Sequence, residues 1–182
     1  MKPRVPLQLR RVLAATLVLT LGSCLASLPP RAAPAAEPVF DPTRFFDGHT
    51  RGEGTLDARI GVDRTLRVEG IGSTEADGRF RLEQTITFSD SSVETRVWFM
   101  QRVDSTHFTA TLSDAKGEVQ AEVNGTRFHL RYLMRQPAVY MEQWMTLSAD
   151  GQTAENQAEV TVLGLPWARL SETITRVDSS RR

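Results

Sequence analysis

Apolar and polar residues alternate along most of the chain beyond residue 45. In residues 79–88, Phe80, Leu82, Ile86 and Phe88 alternate with Arg, Glu and Thr. The same pattern recurs in three further segments, at residues 106–112, 126–134 and 139–147. A period of two residues is typical of β-strands that bury one face. The pattern therefore predicts a protein built mainly of strands.

Turn-forming residues separate the predicted strands. The boundaries that contain glycine are Asp77-Gly78, Lys116-Gly117, Asn124-Gly125 and Asp150-Gly151. The Asp-Gly and Asn-Gly pairs among them favour tight hairpins. Short connections make successive strands neighbours, so we expect an up-and-down antiparallel sheet of nine or ten strands.

A sheet of this length must close or fold over, because an exposed strand edge invites aggregation. An all-β, up-and-down antiparallel β-barrel is the simplest solution. A β-sandwich is the alternative, since a two-residue period fits both architectures. Residues 41–48 predict a short helical turn with Asp41 as N-cap and Pro42 at its first position, placed to plug one barrel end. Gly52 and Gly54 predict a bend or bulge in the first strand.

The first 23 residues have the features of a secretory signal peptide. Residues 1–11 carry four positive charges, and Val12–Leu21 is an apolar run too short for an ordinary membrane-spanning helix. The following segment, Leu21-Gly22-Ser23-Cys24, resembles the bacterial lipobox, whose cysteine is lipidated and becomes the new N-terminus. The alternative is an ordinary secreted protein that is cut later, for example after Ala35.

Residues 24–38 are rich in proline and alanine and predict a flexible tether between an acylated Cys24 and a barrel domain at residues 39–182. Several acyl chains hold a protein stably in a membrane, whereas one chain does not. Leu25 stands where lipoproteins of the inner membrane usually have Asp. The resemblance therefore implies a lipid-anchored, periplasm-facing protein of the bacterial cell envelope, at the outer membrane rather than the inner.

The net charge of the 182-residue chain is zero, but the charges are distributed unevenly. Cleavage before Cys24 removes four of the 22 basic residues, which leaves 18 basic against 22 acidic residues and a net charge of −4. An acidic body without a basic patch argues against nucleic acid as a partner.

The sequence shows no arrangement of residues typical of a catalytic or metal site. The single cysteine cannot form an internal disulfide, and His49, His107 and His129 lie in separate segments, so we expect no metal site. The chain has no Gly-x-Ser-x-Gly nucleophile motif. We therefore expect neither an enzyme nor a cofactor.

Five residues of the predicted strands are candidates for lining a ligand cavity: Glu83, Arg96, Trp98, Arg131 and Trp144. They belong to a wider set of polar residues near aromatic ones, which also includes His129, Glu142, Asn156 and Glu172. Arg96 and Arg131 are suited to a ligand carboxylate, because a guanidinium group donates two parallel hydrogen bonds to a planar acid. In the alternative, these charges form cross-strand ion pairs, and Trp98 faces a packed interior.

Several short motifs carry a resemblance to a known family. In order along the chain they are residues 41–48 (DPTRFFDG), Gly52-Glu53-Gly54 with Asp57, Glu83, Arg96-Val97-Trp98, Asn124-Gly125 and Trp144. Together they resemble the domain of unknown function 3833 family, over most of residues 39–177. The resemblance implies a bacterial lipoprotein with a lipocalin-like, or calycin, barrel, and it supplies no activity.

A barrel of this size can enclose a cavity for an apolar ligand. The sequence thus predicts a membrane-anchored lipoprotein that binds or shelters a lipid or another small apolar molecule. The alternative is a structural or assembly lipoprotein with a solid barrel, whose surface docks a protein partner of the envelope. A lumen of a few hundred Å³ would favour the first function, and a filled interior would favour the second.

Overall fold

In this computed structural model, which describes residues 38–177, the chain forms one short helix and ten strands. Helix α1 spans Pro42–Phe45. The first five strands are β1 (Gly48–Ala58), β2 (Arg64–Thr74), β3 (Phe80–Phe88), β4 (Val93–Arg102) and β5 (His107–Leu112). The other five are β6 (Val119–Asn124), β7 (Arg127–Arg135), β8 (Val139–Leu147), β9 (Thr153–Val162) and β10 (Leu165–Val177). The glycines of all four predicted turns have positive φ, as tight turns require.

Each strand pairs antiparallel with the strands before and after it, and β1 also pairs with β10. The last pairing runs from His49 opposite Val177 to Ala58 opposite Ala168, and it closes the sheet into a barrel. The predicted up-and-down β-barrel is therefore confirmed, and the sandwich alternative is wrong. Closure gives every strand two neighbours and leaves no edge exposed.

Helix α1 closes one end of the barrel, as predicted. Asp41 caps the helix, with its Oδ1 accepting hydrogen bonds from the backbone N–H groups of Thr43 (3.1 Å) and Arg44 (3.3 Å). The ring of Phe40 lies 5.3 Å from that of Phe45 and 5.5 Å from that of Phe128 on β7. The aromatic side chains of this segment thus fill the barrel end that α1 covers, here named the plugged end.

Glycine allows the plug to approach the barrel wall closely. A Cβ atom on Gly72 of β2 would lie 2.1 Å from the carbonyl oxygen of Phe46 and 2.6 Å from the ring of Phe80. Neither distance is sterically allowed, so a side chain at this position would displace the plug.

Gly52 and Gly54 do not introduce the bulge predicted for them. The pairing of β1 with both neighbours is continuous, and the register shifts occur instead between Pro166 and Ala168 and between Leu133 and Arg135. The two glycines instead allow close packing against β10, because a Cβ on either would overlap atoms of Ser171 or Glu172.

The apolar side chains inside the barrel form two clusters of very different size. The large cluster includes the plug residues and most of the inward side chains of β3 to β10. The small cluster comprises Leu66 and Val68 of β2 with Ile86 and Phe88 of β3. The start of β2 and the end of β3 therefore bury their apolar side chains separately from the main core.

The barrel lies within a compact unit, Ala36–Arg182. Its core and its closed ring of strands are made from residues of this unit alone, so we expect the unit to fold by itself. Within residues 38–177, no helix is long and apolar enough to cross a membrane. Residues 1–37, which hold the predicted signal peptide, Cys24 and nearly all of the tether, lie outside the described residues, so those features stay predictions.

Candidate ligand-binding site

A cavity of about 330 Å³ lies inside the barrel. Phe46 and Phe128 line it towards the plugged end. Its exposed lining residues, Glu94 at the start of β4 and Trp167 at the start of β10, lie at the opposite end. We name that end the mouth. The cavity is thus blocked by α1 on one side and reaches solvent on the other.

The walls of the cavity are mainly apolar, because inward positions of eight strands carry aliphatic, Met and aromatic side chains. The principal wall residues are Leu66, Val68, Leu82, Ile86, Phe88, Trp98, Met100, Leu130, Met141, Met145, Val160, Leu170 and Ile174. They come from both apolar clusters, so the cavity lies where these clusters fail to meet. A methionine-rich wall can adapt to ligands of different shape.

Three buried polar side chains interrupt the apolar wall: Gln143 of β8, which is 4% exposed, and a hydrogen-bonded pair on β9 and β10. Glu172 of β10 is 6% exposed and Asn156 of β9 is 2% exposed. Asn156 Nδ2 donates a hydrogen bond to Glu172 Oε2 at 3.0 Å. Within residues 38–177, Glu172 Oε1 and Asn156 Oδ1 are buried and have no hydrogen-bond partner. We name this pair the buried acceptor pair.

Burial raises the pKa of Glu172 above its ordinary value, because desolvation disfavours the carboxylate. The hydrogen bond from Asn156 and the positive charge of Arg96 oppose this shift without cancelling it. Gly52 of β1 makes room for the carboxyl group, since a Cβ there would lie 2.0 Å from Glu172 Oε1. The wall is therefore shaped around a protonatable group.

Arg96 and Trp98, both on β4, line the cavity as the sequence predicts for them. Arg96 already faces two acids: its Nε lies 3.1 Å from Asp114 Oδ2, and its Nη2 lies 3.4 Å from Glu94 Oε2. Trp98 Nε1 donates a hydrogen bond to Gln84 Oε1 at 2.9 Å. Trp98 is thus held by Gln84, whereas Arg96 Nε, although close to Asp114, has no hydrogen-bond partner among residues 38–177.

Glu83, Arg131 and Trp144 lie on the outer face of the barrel and do not line the cavity. The alternation of a strand explains this: the neighbours of each point inwards, so the residue between them points outwards. Their partners are also on the outside, since Glu83 pairs with Arg81, Arg131 with Glu142 at 3.8 Å, and Trp144 stacks on His129 at 5.5 Å. The structure therefore does not bring Arg131 to Arg96.

The strand period contains a signal for the buried acceptor pair that the sequence analysis did not single out. Asn156 lies in phase with Ala154 and Ala158, and Glu172 lies in phase with Leu170 and Ile174. A polar residue in the apolar phase of a strand must be buried or must interrupt the core. Whether a polar side chain points into the barrel depends on its position in the two-residue period, and not on how close it is to aromatic residues.

Exposed apolar residues border the mouth. The loop after β1 carries Ile60 (68% exposed) and Val62 (82%), and the adjacent β9–β10 hairpin carries Leu163, Leu165 and Trp167. The two segments are neighbours, because the backbone N–H of Arg59 donates to the carbonyl of Trp167 at 2.8 Å. An apolar ligand that enters the cavity would pass beside these side chains.

Comparison with protein families gives a match over most of the chain. The model of the family described as "Protein of unknown function (DUF3833)" covers residues 18–176. The chain belongs to the DUF3833 family. The resemblance carried by the short motifs is thereby confirmed. No curated protein matches the sequence.

Solved structures show that this DUF3833 protein has a lipocalin-like barrel. The S-type phycobiliprotein lyase CPES from Guillardia theta aligns with a TM-score of 0.60 and 9% identity, over 76% of this chain and 92% of that one. A protein of unknown function from the DUF3598 family, from Nostoc punctiforme PCC 73102, aligns with a TM-score of 0.58 and 16% identity, over 80% of this chain and 53% of that one. At these identities the likeness concerns the fold alone.

Proposed function

We propose that this DUF3833 protein binds a lipid or another small apolar ligand in its barrel cavity. The observation that carries the proposal is the cavity of about 330 Å³ with mainly apolar walls and an open mouth. Ligand sites in proteins typically occupy about 300–1,000 Å³ and combine apolar walls with a few polar groups. The cavity meets this description, whereas a scaffold protein would need a filled interior.

We infer binding rather than a chemical reaction. Among the described residues, those that line the cavity include no Ser, Thr, Cys, His or Lys, so the buried acid of the wall, Glu172, has none of these nucleophiles beside it to activate. A protein named as a phycobiliprotein lyase shares the fold, so the architecture itself is compatible with an enzyme. The lining residues favour a carrier.

We further propose that lipidation of Cys24 anchors the barrel to the cell envelope, facing the periplasm. The lipobox-like segment of residues 21–24 supports this proposal. Each buried methylene contributes about 0.8 kcal/mol, so several acyl chains give a stable anchor. Cys24→Ser should move the protein from the membrane fraction to the soluble fraction of the cells. Continued sedimentation with membranes would contradict the anchor.

A cavity-filling variant tests the binding proposal. Val160 of β9 lines the cavity, whereas Thr161, the next residue, points away from it. We expect Val160→Trp to abolish binding of the neutral apolar dye Nile red by residues 36–182, and Thr161→Trp to leave binding unchanged. Equal dye binding by both variants would show that the dye does not occupy the cavity and would contradict the proposal.

A further inference from the structure

The buried acceptor pair, Glu172 and Asn156, distinguishes among apolar ligands. An amphiphile that enters the cavity must place its polar end against some part of the wall. Both side chains of the pair line the cavity, and both are more than nine-tenths buried. Each has one oxygen without a hydrogen-bond partner among residues 38–177. A ligand that satisfied these oxygens would gain affinity, because buried acceptors are costly to leave unpaired.

The two unpaired atoms, Glu172 Oε1 and Asn156 Oδ1, have the same hydrogen-bonding chemistry. When Glu172 is ionised, its free oxygen and the amide carbonyl oxygen of Asn156 are both acceptors, so a matching ligand group must donate. A hydroxyl or an amino group can donate, whereas a carboxylate or a phosphate brings further acceptors and a negative charge. Because Asn156 already donates to the other oxygen of Glu172, its own carbonyl oxygen is left for the ligand.

The positive charge in the cavity does not favour an acid in the same way. Two arginines line the cavity, and Arg64 lies against Asp90 at 3.2 Å. Arg96 lies against Asp114 at 3.1 Å and Glu94 at 3.4 Å. Its charge is therefore balanced by protein carboxylates before any ligand arrives. An acidic ligand would have to compete with both of them for the guanidinium group.

We propose that the cavity selects amphiphiles whose polar end is a hydrogen-bond donor, a hydroxyl or an amino group, bound between Glu172 and Asn156. This inference rests on the proposed function and adds the class of ligand. It also gives Gly52 a role, since only glycine at that position leaves space for the Glu172 carboxyl group.

Three probes with the same ten-carbon chain test the selection: decan-1-ol, decylamine and decanoate. Binding to residues 36–182 is measured at pH 7.5 by displacement of Nile red. We expect the alcohol and the amine to bind about 10-fold more tightly than decanoate. In Glu172→Met, which keeps a side chain of similar length without acceptors, the three affinities should differ by less than about 3-fold.

Two further variants keep the result interpretable. Asn156→Leu removes the other acceptor and should weaken the same preference, which tests the pair if Glu172→Met folds poorly. Thr161→Trp, which points away from the cavity, should leave the order of the probes unchanged. Nile red binding by each variant shows that its cavity is intact.

The outcomes separate the inference from the function on which it rests. If decanoate binds most tightly and Arg96→Met removes that binding, the polar end is an acid held by Arg96 and the inference is overturned. If all three probes bind equally to the wild-type protein, the function stands and the inference fails. If neither the probes nor Nile red bind, both are overturned.

Discussion

The two ends of the barrel use the same strands for different purposes. At the plugged end, the rings of Phe40, Phe45, Phe108 and Phe128 pack against one another with centroid distances of 5.3–6.2 Å. At the mouth, the small cluster of β2 and β3 faces a cavity of about 330 Å³ instead. Dense packing stabilises the first end, and incomplete packing leaves room for a ligand at the second.

The location of the cavity follows from where the plug lies. Helix α1 fills only one end, and side chains of the small cluster are too few to fill the other. The polar residues follow the same division, since the buried acceptor pair lies on the cavity wall and not among the phenylalanines. Stability and binding are therefore assigned to separate parts of one sheet, and substitutions can test them separately.

The largest expected effect distinguishes two phenylalanines in matched settings. Phe108 at the plugged end and Phe88 near the mouth each lie under an arginine, with Arg102 at 4.5 Å and Arg64 at 4.1 Å. Only Phe88 borders the cavity, so part of its surface already lacks packing partners. We expect Phe108→Ala to lower the free energy of unfolding by about 3–5 kcal/mol and Phe88→Ala by about 2 kcal/mol.

Urea denaturation monitored by circular dichroism measures both losses. Equal losses for the two variants would contradict the division into a packed end and a cavity end.

A smaller effect distinguishes two glycines. An alanine Cβ at Gly72 would overlap the backbone of the plug at Phe46, whereas one at Gly52 would overlap the side chain of Glu172. Backbone shifts less readily than a side chain that borders a cavity. We therefore expect Gly72→Ala to cost about 1–3 kcal/mol of stability, and Gly52→Ala to cost less but to weaken binding of decan-1-ol. Thermal unfolding and probe displacement give the two readouts, and the reverse pattern would refute this account of the glycines.

The smallest expected effect is a dependence of stability on pH. Burial raises the pKa of Glu172 above its ordinary 4.5, so the folded protein holds this proton more tightly than the unfolded chain does. The stabilisation is complete below pH 4.5 and is lost as pH rises through the raised pKa. We therefore expect the wild-type protein to lose stability relative to Glu172→Gln as pH rises above 4.5.

Three exposed carboxylates, Asp77, Asp90 and Asp150, do not interfere above pH 4.5. Hydrogen bonds from Ser92 lower the pKa of Asp90 to about 2, and hydrogen bonds also lower the pKa of Asp77 and Asp150. The stabilisation from these groups is lost only as pH falls below their ordinary range. Urea denaturation of the wild-type protein and of Glu172→Gln, at pH 5 and at pH 8, measures the difference in their free energies of unfolding. A constant difference between the two proteins would show that Glu172 has the same pKa in both states.

Local features of the sequence were enough to predict the strands, the turns and the plug. A two-residue period, Asp-Gly and Asn-Gly pairs, and Asp41 before Pro42 each act within a few residues. Closure of the barrel was predicted only as the simpler of two solutions, because it depends on β1 meeting β10 at the other end of the chain. The pairing of two strands so far apart along the chain produces no pattern within either strand that would predict it.

The candidate site was predicted less well, for a reason that the strands make clear. Arg96 and Trp98 line the cavity, whereas Glu83, Arg131 and Trp144 point outwards. All five residues have side chains suited to ligand binding, but only the face of the strand on which each lies decides whether it reaches the cavity. The cavity itself could not be predicted, since its volume depends on how side chains from eight strands pack together.

The central claim is that the mouth half of the barrel holds a small apolar ligand. Native mass spectrometry of residues 36–182, purified without detergent, tests it most directly. The account predicts a reproducible added mass of a small molecule on the wild-type protein, which Val160→Trp loses and Thr161→Trp retains. A wild-type protein that shows only the mass of its own chain, even after incubation with decan-1-ol, would contradict the claim.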